Sequence, residues 1–232
     1  MTFDQQRIDQ QKQAAAQASL KFIRDGNIVG LGSGSTAAYM VRFLAERVQA
    51  GLKIRGIPTS NGTRALAISL GIPLVTLDEF QEIDVTIDGA DEIDPQLQLI
   101  KGGGAAFLRE KIVASASRKL VIIADSSKLV PVLGKAAVPV EVIPFAQALV
   151  SKKISTLGAK VGVRQDSSGK AWVTDEGHLI LDCHFGQISD PPALALKLEQ
   201  IPGVVEHGLF IHMADVALVA RESGVQELQS QR

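Results

Sequence analysis

The chain has 232 residues, 46% of them hydrophobic and 21% charged, with a formal net charge of −1, enough for one large domain or two small ones. The near-neutral balance, the lack of a basic tract and an aromatic content of 4% exclude an electrostatic, base-stacking nucleic-acid binder. No apolar run reaches the ~18–20 residues of a membrane span, the N-terminal MTFDQQRIDQQKQ has no signal-peptide core, and the one cysteine, Cys183, makes neither an intramolecular disulfide nor a cysteine-built zinc site, so the expectation is a soluble cytosolic protein with a small-molecule partner.

Ile8, Ala15, Ala16, Ser19, Phe22 and Ile23 recur at helical spacing and predict a helix over 5–24, ended by Asp25-Gly26-Asn27. A buried strand at 28–31 leads through GSGST into a helix over 37–49. A strand at 54–57, closed by Pro58, precedes a helix over 62–70 that Gly71 and Pro73 stop. A β-branched strand at 83–88, a short strand at 97–100, a helix over 103–117 and the most apolar strand, 120–124, follow. Strands alternating with helices imply right-handed crossovers and a parallel sheet covered on both faces.

After Pro131 the rhythm changes to a strand at 138–144, a helix over 145–156, strands at 158–164 and 178–184, a helix over 191–200 and a strand at 203–206. That β-α-β-β-α-β order is the split ferredoxin-like pattern. A strand at 216–220 returns to the first sheet, and the polar tail RESGVQELQSQR is expected to fray. The predicted fold is α/β: a doubly wound, mainly parallel, Rossmann-like catalytic domain over 1–132 and 208–232. A ferredoxin-like α+β domain is inserted over 133–207 and is expected to serve oligomerisation.

Four segments carry chemistry. Gly30-Leu31-Gly32-Ser33-Gly34-Ser35-Thr36 lies between a strand and a helix, where glycines admit an anion to the backbone and the helix N-terminus offers N–H groups. The P-loop lysine is missing, and Ser35 replaces the third glycine of a dinucleotide fingerprint. The plain alternative is a tight turn with a serine cap. Asp84-Val85-Thr86-Ile87-Asp88-Gly89-Ala90-Asp91 ends a buried strand with two carboxylates flanking a Gly-Ala turn. The carboxyl ends of such strands face the ligand crevice, although an Asp-rich surface turn or a Mg²⁺ site also fits.

Leu99-Ile100-Lys101-Gly102-Gly103-Gly104 places a lysine before three glycines at a predicted helix start, costly for a helix but suited to a ligand lying against the backbone. Glu110 follows Gly103 by seven residues, about two turns on and near the same helix face; its plain alternative is a solvated helical charge. Ala124-Asp125-Ser126-Ser127-Lys128 ends another buried strand, and Lys128 either delivers a positive charge to the crevice or is a surface lysine. His178, His184, His207 and His212 show no metal-ligand spacing.

Together GLGSGSTA, DVTIDGADEID, LIKGGGAAFLREKIVA and VIIADSSKLV, with PVEVIPFA and HGLF further on, resemble the type A ribose-5-phosphate isomerases nearly end to end. The resemblance implies interconversion of ribose 5-phosphate and ribulose 5-phosphate in the pentose phosphate pathway, without metal or organic cofactor, in a homodimer or homotetramer. It implies that Glu110 is the general base, with Lys101, Asp88 and Asp91 as polar partners at the sugar. Ser33, Gly34, Ser35, Thr36, Gly89, Ala90, Gly102, Gly103, Gly104 and Lys128 would line the substrate site, and Lys12 would match a lysine near the phosphate. His212, where the family leads one to expect glycine, and the PTSNGT segment depart from the pattern.

The chemistry suits these residues. Moving a proton between C2 and C1 through a cis-enediolate needs one carbon base, Glu110. Lys101 can stabilise the charge on the carbonyl oxygen, and Asp88 can open the furanose ring while Asp91 orients hydroxyls. Two rivals use the same loop: a non-catalytic sugar-phosphate-sensing module, against which Lys101, Asp88 and Glu110 stand together, and a nucleotide-dependent transferase or oxidoreductase, against which the missing third glycine stands.

Overall fold

The structure, a computed structural model, describes residues 3–230. In chain order its elements are α1 (Phe3–Ser19), β1 (Ile28–Leu31), α2 (Ser35–Gln49), β2 (Arg55–Pro58), α3 (Asn61–Ser69), β3 (Val85–Asp88), β4 (Glu92–Ile93), β5 (Leu99–Ile100), α4 (Phe107–Ser115) and β6 (Leu120–Asp125). There follow β7 (Val138–Val142), α5 (Gln147–Thr156), β8 (Lys160–Val163), β9 (Leu179–His184), α6 (Pro191–Glu199), β10 (Val204–His207), β11 (Leu209–Phe210), β12 (Val216–Arg221) and β13 (Gly224–Gln229). Two compact units result: residues 1–90, 109–128 and 213–232 form the first, and 91–108 and 129–212 the second.

The first unit is built on a six-stranded sheet in the order β13-β12-β6-β3-β1-β2. Every neighbouring pair is parallel except β12 and β13. The two-residue period of the strands divides the apolar side chains between the faces. Val29, Leu31, Val85, Ile87, Val121 and Ile123 share a core with Ala15 and Ala16 of α1 and Met40 and Leu44 of α2. Ile28, Ile57 and Ile83 cluster instead with Val113 of α4. Each such aliphatic side chain contributes ~1.5–3 kcal/mol by leaving water. The carboxyl ends of β1, β3 and β6 therefore sit on a fixed frame, and the glycine loop, Asp88 and the turn at 126–128 continue directly from them.

In the second unit, the four-stranded sheet has the order β10-β7-β9-β8, antiparallel throughout. Read with α5 and α6, this is the ferredoxin-like arrangement expected from the element order. Cys183 is fully buried in its core, and burial pushes the thiol up to about 12. No helix among the described residues is long and apolar enough to cross a membrane.

The structure departs from three expectations. Helix α4 starts at Phe107 rather than 103, because Gly102 at φ +109° and Ala105 at φ +62° lie outside the helical region. Within the described residues the tail does not fray: 224–229 form β13, pairing with all of β12, whose free edge attracts a strand regardless of the tail's polarity, and residues 231–232 lie outside the described residues. The strand at 97–100 narrows to β5, which pairs antiparallel with β4 and β11 in a separate sheet.

Residues 91–108 accordingly group with the second unit rather than with residues 1–90, a different division from one at 132/133 and 207/208. The tie is chemical as well: the buried Glu92 carboxylate accepts the N–H groups of Gly134 and Ala136. His212 has φ +53°, left-handed backbone for which glycine is the natural residue.

Candidate active site

The loop after β1 is shaped by what surrounds it. A Cβ on Gly32 would lie 2.2 Å from Asp88 Oδ1 and 2.6 Å from Asp88 Cα, so only glycine lets β1 and β3 approach this closely. Asp88 is 1% exposed, and its Oδ1 accepts the N–H groups of Ser33 (3.0 Å) and Gly89 (2.8 Å). Gly34, with φ +93°, turns the chain into α2. The first-turn N–H groups of that helix have no acceptor within it, so this end is suited to an anion.

Ser35 and Thr36 stand in the first turn of α2. Lys12 on α1 donates from Nζ to Ser35 Oγ at 3.0 Å, which brings the lysine to the same helix end. One residue earlier, buried Gln11 accepts from the backbone N–H and the hydroxyl of Ser126, both at 3.0 Å. That contact fixes the short turn Ser126–Lys128, whose start is also held by the Asp125 carboxylate accepting the Ser127 N–H and hydroxyl.

The Ser33 hydroxyl points elsewhere. It donates to Ser60 Oγ (2.7 Å) and shares hydrogen bonds with Thr59 (2.8 Å) and Thr63 (3.0 Å). Thr59 and Thr63 in turn donate to the carbonyls of Leu31 and Gly32. The PTSNGT segment is thus a hydroxyl buttress under the glycine loop, a role no sequence argument assigned to it. Its only signal was the density of Ser and Thr directly after a predicted strand.

The second unit holds the other segment. Lys101 is 3% exposed and is the only lysine or arginine buried among the described residues. Its N–H donates to Gly208 O at 2.8 Å, and its Nζ lies 5.2 Å from the centre of the Phe210 ring, within the range of a cation–π contact. The HGLF segment, singled out only as a sequence likeness, therefore backs the lysine. The Gly103 N–H donates to Asp91 Oδ2 at 2.7 Å, and a Cβ on Gly103 would meet that carboxylate at 2.8 Å. A Cβ on Gly102 would strike Phe107 and Pro139, whereas one on Gly104 would meet nothing within 4 Å.

Glu110 is 4% exposed and sits in the first turn of α4. The expected two-turn offset from Gly103 along one helix does not hold, since residues 102–106 precede the helix. On α4, Glu110, Val113 and Ala114 are buried, whereas Ile112 and Ser115 are exposed. Among the described residues no group of three or more His, Cys, Asp or Glu is arranged to hold a metal ion.

A family model described as ribose 5-phosphate isomerase A (phosphoriboisomerase A) matches residues 55–224. A ribose-5-phosphate isomerase A of Bradyrhizobium diazoefficiens is 50% identical over 235 residues, covering 97% of this chain and 98% of that one. The solved ribose 5-phosphate isomerase A of Methanocaldococcus jannaschii superposes with a TM-score of 0.92 at 41% identity, covering 95% of this chain and 99% of the other. The ribose 5-phosphate isomerase of Plasmodium falciparum gives a TM-score of 0.93 at 37% identity, covering 97% and 100%.

Proposed function

The chain belongs to the ribose 5-phosphate isomerase A family, and on that premise we propose how its own residues interconvert ribose 5-phosphate and ribulose 5-phosphate. The single observation that carries the assignment of roles is burial. Asp88, Lys101 and Glu110 are 1%, 3% and 4% exposed. Keeping ionisable groups out of water is costly, which makes buried ones candidates for function; Glu92 and Asp125 are buried as well, but they serve backbone N–H groups of the fold.

The furanose opens first, with Asp88 as acid and base at the ring and anomeric oxygens and Asp91 orienting hydroxyls. Glu110 then removes the proton from C2. The C–H electron pair forms the C1–C2 double bond, and the aldehyde oxygen takes up negative charge, which the Lys101 ammonium offsets. After the O2 proton is transferred to O1, Glu110 returns its proton to C1 and the C2 carbonyl forms. The phosphate binds at the N-terminal end of α2, with Ser35, Thr36, Lys12 and Lys128 as its partners; the contact of Lys12 with Ser35 supports this. The residues Gly34, Gly89, Ala90, Gly102, Gly103 and Gly104 present backbone to the sugar. We further propose a cytoplasmic homodimer or homotetramer of the pentose phosphate pathway, with subunit contacts carried by the second unit and no metal or organic cofactor.

The direct test is turnover of ribose 5-phosphate by the purified chain in the presence of a chelator and with nothing added. Activity is expected to persist; loss restored by a divalent ion would favour a metal-assisted hydride shift. For the phosphate, Ser35→Ala and Thr36→Ala are expected to raise KM more than they lower kcat, because phosphate contacts change little between ground and transition states. Unchanged KM in both variants would move the phosphate elsewhere.

A further inference from the structure

The peptide group between Gly102 and Gly103 is held at both ends by side chains. Its carbonyl, on Gly102, accepts a hydrogen bond of 2.7 Å from Arg164 Nη1. Its N–H, on Gly103, donates to Asp91 Oδ2 at 2.7 Å. One amide thus lies between a guanidinium and a carboxylate, with its dipole aligned along the line of charge. A cation on the carbonyl polarises the amide and makes the N–H a stronger donor to Asp91.

Arg164 is itself fixed. It follows β8, and its Nε donates to Asp182 Oδ2 on β9 at 3.0 Å while Nη2 pairs with Oδ1, a two-point contact that sets the guanidinium plane. The Arg164 side chain is 16% exposed and that of Asp182 27%. No charged residue near the glycines in sequence does this work; Arg164 lies 62 positions from Gly102.

We propose that Arg164, braced by Asp182, is a positioning residue for the isomerisation: it sets the Gly102–Gly103 peptide and thereby the direction of Lys101 on one side and Asp91 on the other. A run of three glycines has more backbone freedom than any other sequence. Lys101 is anchored through its N–H to Gly208, but its carbonyl leads straight into that run. Without the clamp the peptide can rotate, and a displacement of about 1 Å at a reacting group can cost about 10²-fold in rate. Binding of the phosphate involves other residues and is untouched. The inference rests on the reading in which Lys101 and Asp91 act on the sugar.

The test compares Arg164→Met, Arg164→Lys, Asp182→Asn and Lys101→Gln by steady-state kinetics with ribose 5-phosphate, alongside thermal unfolding. Arg164→Met is expected to lower kcat by about 10- to 100-fold with KM changed by less than about threefold. Arg164→Lys, which keeps a cation for the Gly102 carbonyl but cannot grip Asp182 at two points, should recover part of that loss, and Asp182→Asn should fall between it and wild type. A merely structural arginine would lower the melting temperature and leave kcat alone. Should Arg164→Met not fold, Arg164→Lys decides: wild-type kcat in the lysine variant overturns the proposal. A folded Arg164→Met with kcat within about twofold of wild type, while Lys101→Gln has lost turnover, overturns the positioning role alone. Normal turnover in Lys101→Gln overturns the underlying reading.

Discussion

Replacing Glu110 by glutamine is expected to lower kcat by roughly 10²–10⁴-fold while substrate binding survives, the range for loss of a general base. Glutamine keeps the size of the buried side chain and one accepting oxygen, so α4 and its surroundings, in which Glu110 is 4% exposed, have little reason to rearrange. What disappears is the group able to take the C2 proton. The enediolate route supplies an independent readout. A proton held on a carboxylate exchanges with solvent before it is returned, so wild-type turnover in D₂O should place deuterium on the product carbon. The variant should lose labelling and turnover together. Near-normal turnover with normal labelling in Glu110→Gln would transfer the role to another carboxylate, with Asp88 next in line.

Asp88 and Lys101 stand out in the sequence because their neighbours are unusual, whereas the role given to Glu110 came from the family resemblance, its two-turn offset from Gly103 having failed with the later start of α4. Glycines beside a lysine or an aspartate at a strand end conflict with helix and strand propensity, and such conflicts gather where a backbone must approach something closely. The alternation of strands and helices was equally legible, since β-branched runs and helical spacing are local signals. The start of α4 was less so: Gly103–Ala106 were expected to begin the helix, and the left-handed Ala105 that forbids it leaves no mark in the sequence. Nor does β13, which carries only Val225 and Leu228 as apolar residues and owes its place to the edge of β12. Arg164, Gln11 and the Thr59–Thr63 hydroxyls were invisible for another reason. Each acts on backbone or hydroxyl groups that the chain brings close only on folding, Gln11 on a serine 115 positions away, and no periodicity encodes such a pairing.

Gly32→Ala is expected to lower turnover far more than Gly34→Ala, the same change two residues further along the loop after β1. The added Cβ would meet Asp88 Oδ1 at 2.2 Å and Asp88 Cα at 2.6 Å. A carboxylate could rotate away, but a backbone atom at 2.6 Å in the middle of a parallel sheet cannot yield without moving β3 against β1. Overpacking of this kind typically costs ~1–3 kcal/mol. The functional cost should be larger in proportion. Pushing Asp88 back strips its Oδ1 of the Ser33 and Gly89 N–H groups that aim it, and misplacement by about 1 Å is worth about 10²-fold in kcat. Gly34→Ala provides the contrast. No atom lies within 4 Å of a Cβ there, yet φ +93° with ψ 178° is backbone essentially restricted to glycine, so that variant costs ~1–3 kcal/mol in backbone strain without touching Asp88. The comparison is read from thermal unfolding and kcat together. Gly32→Ala should lose far more turnover than Gly34→Ala at a similar loss of stability; equal losses of turnover would mean that the loop's own conformation, rather than the placing of Asp88, is what the reaction depends on.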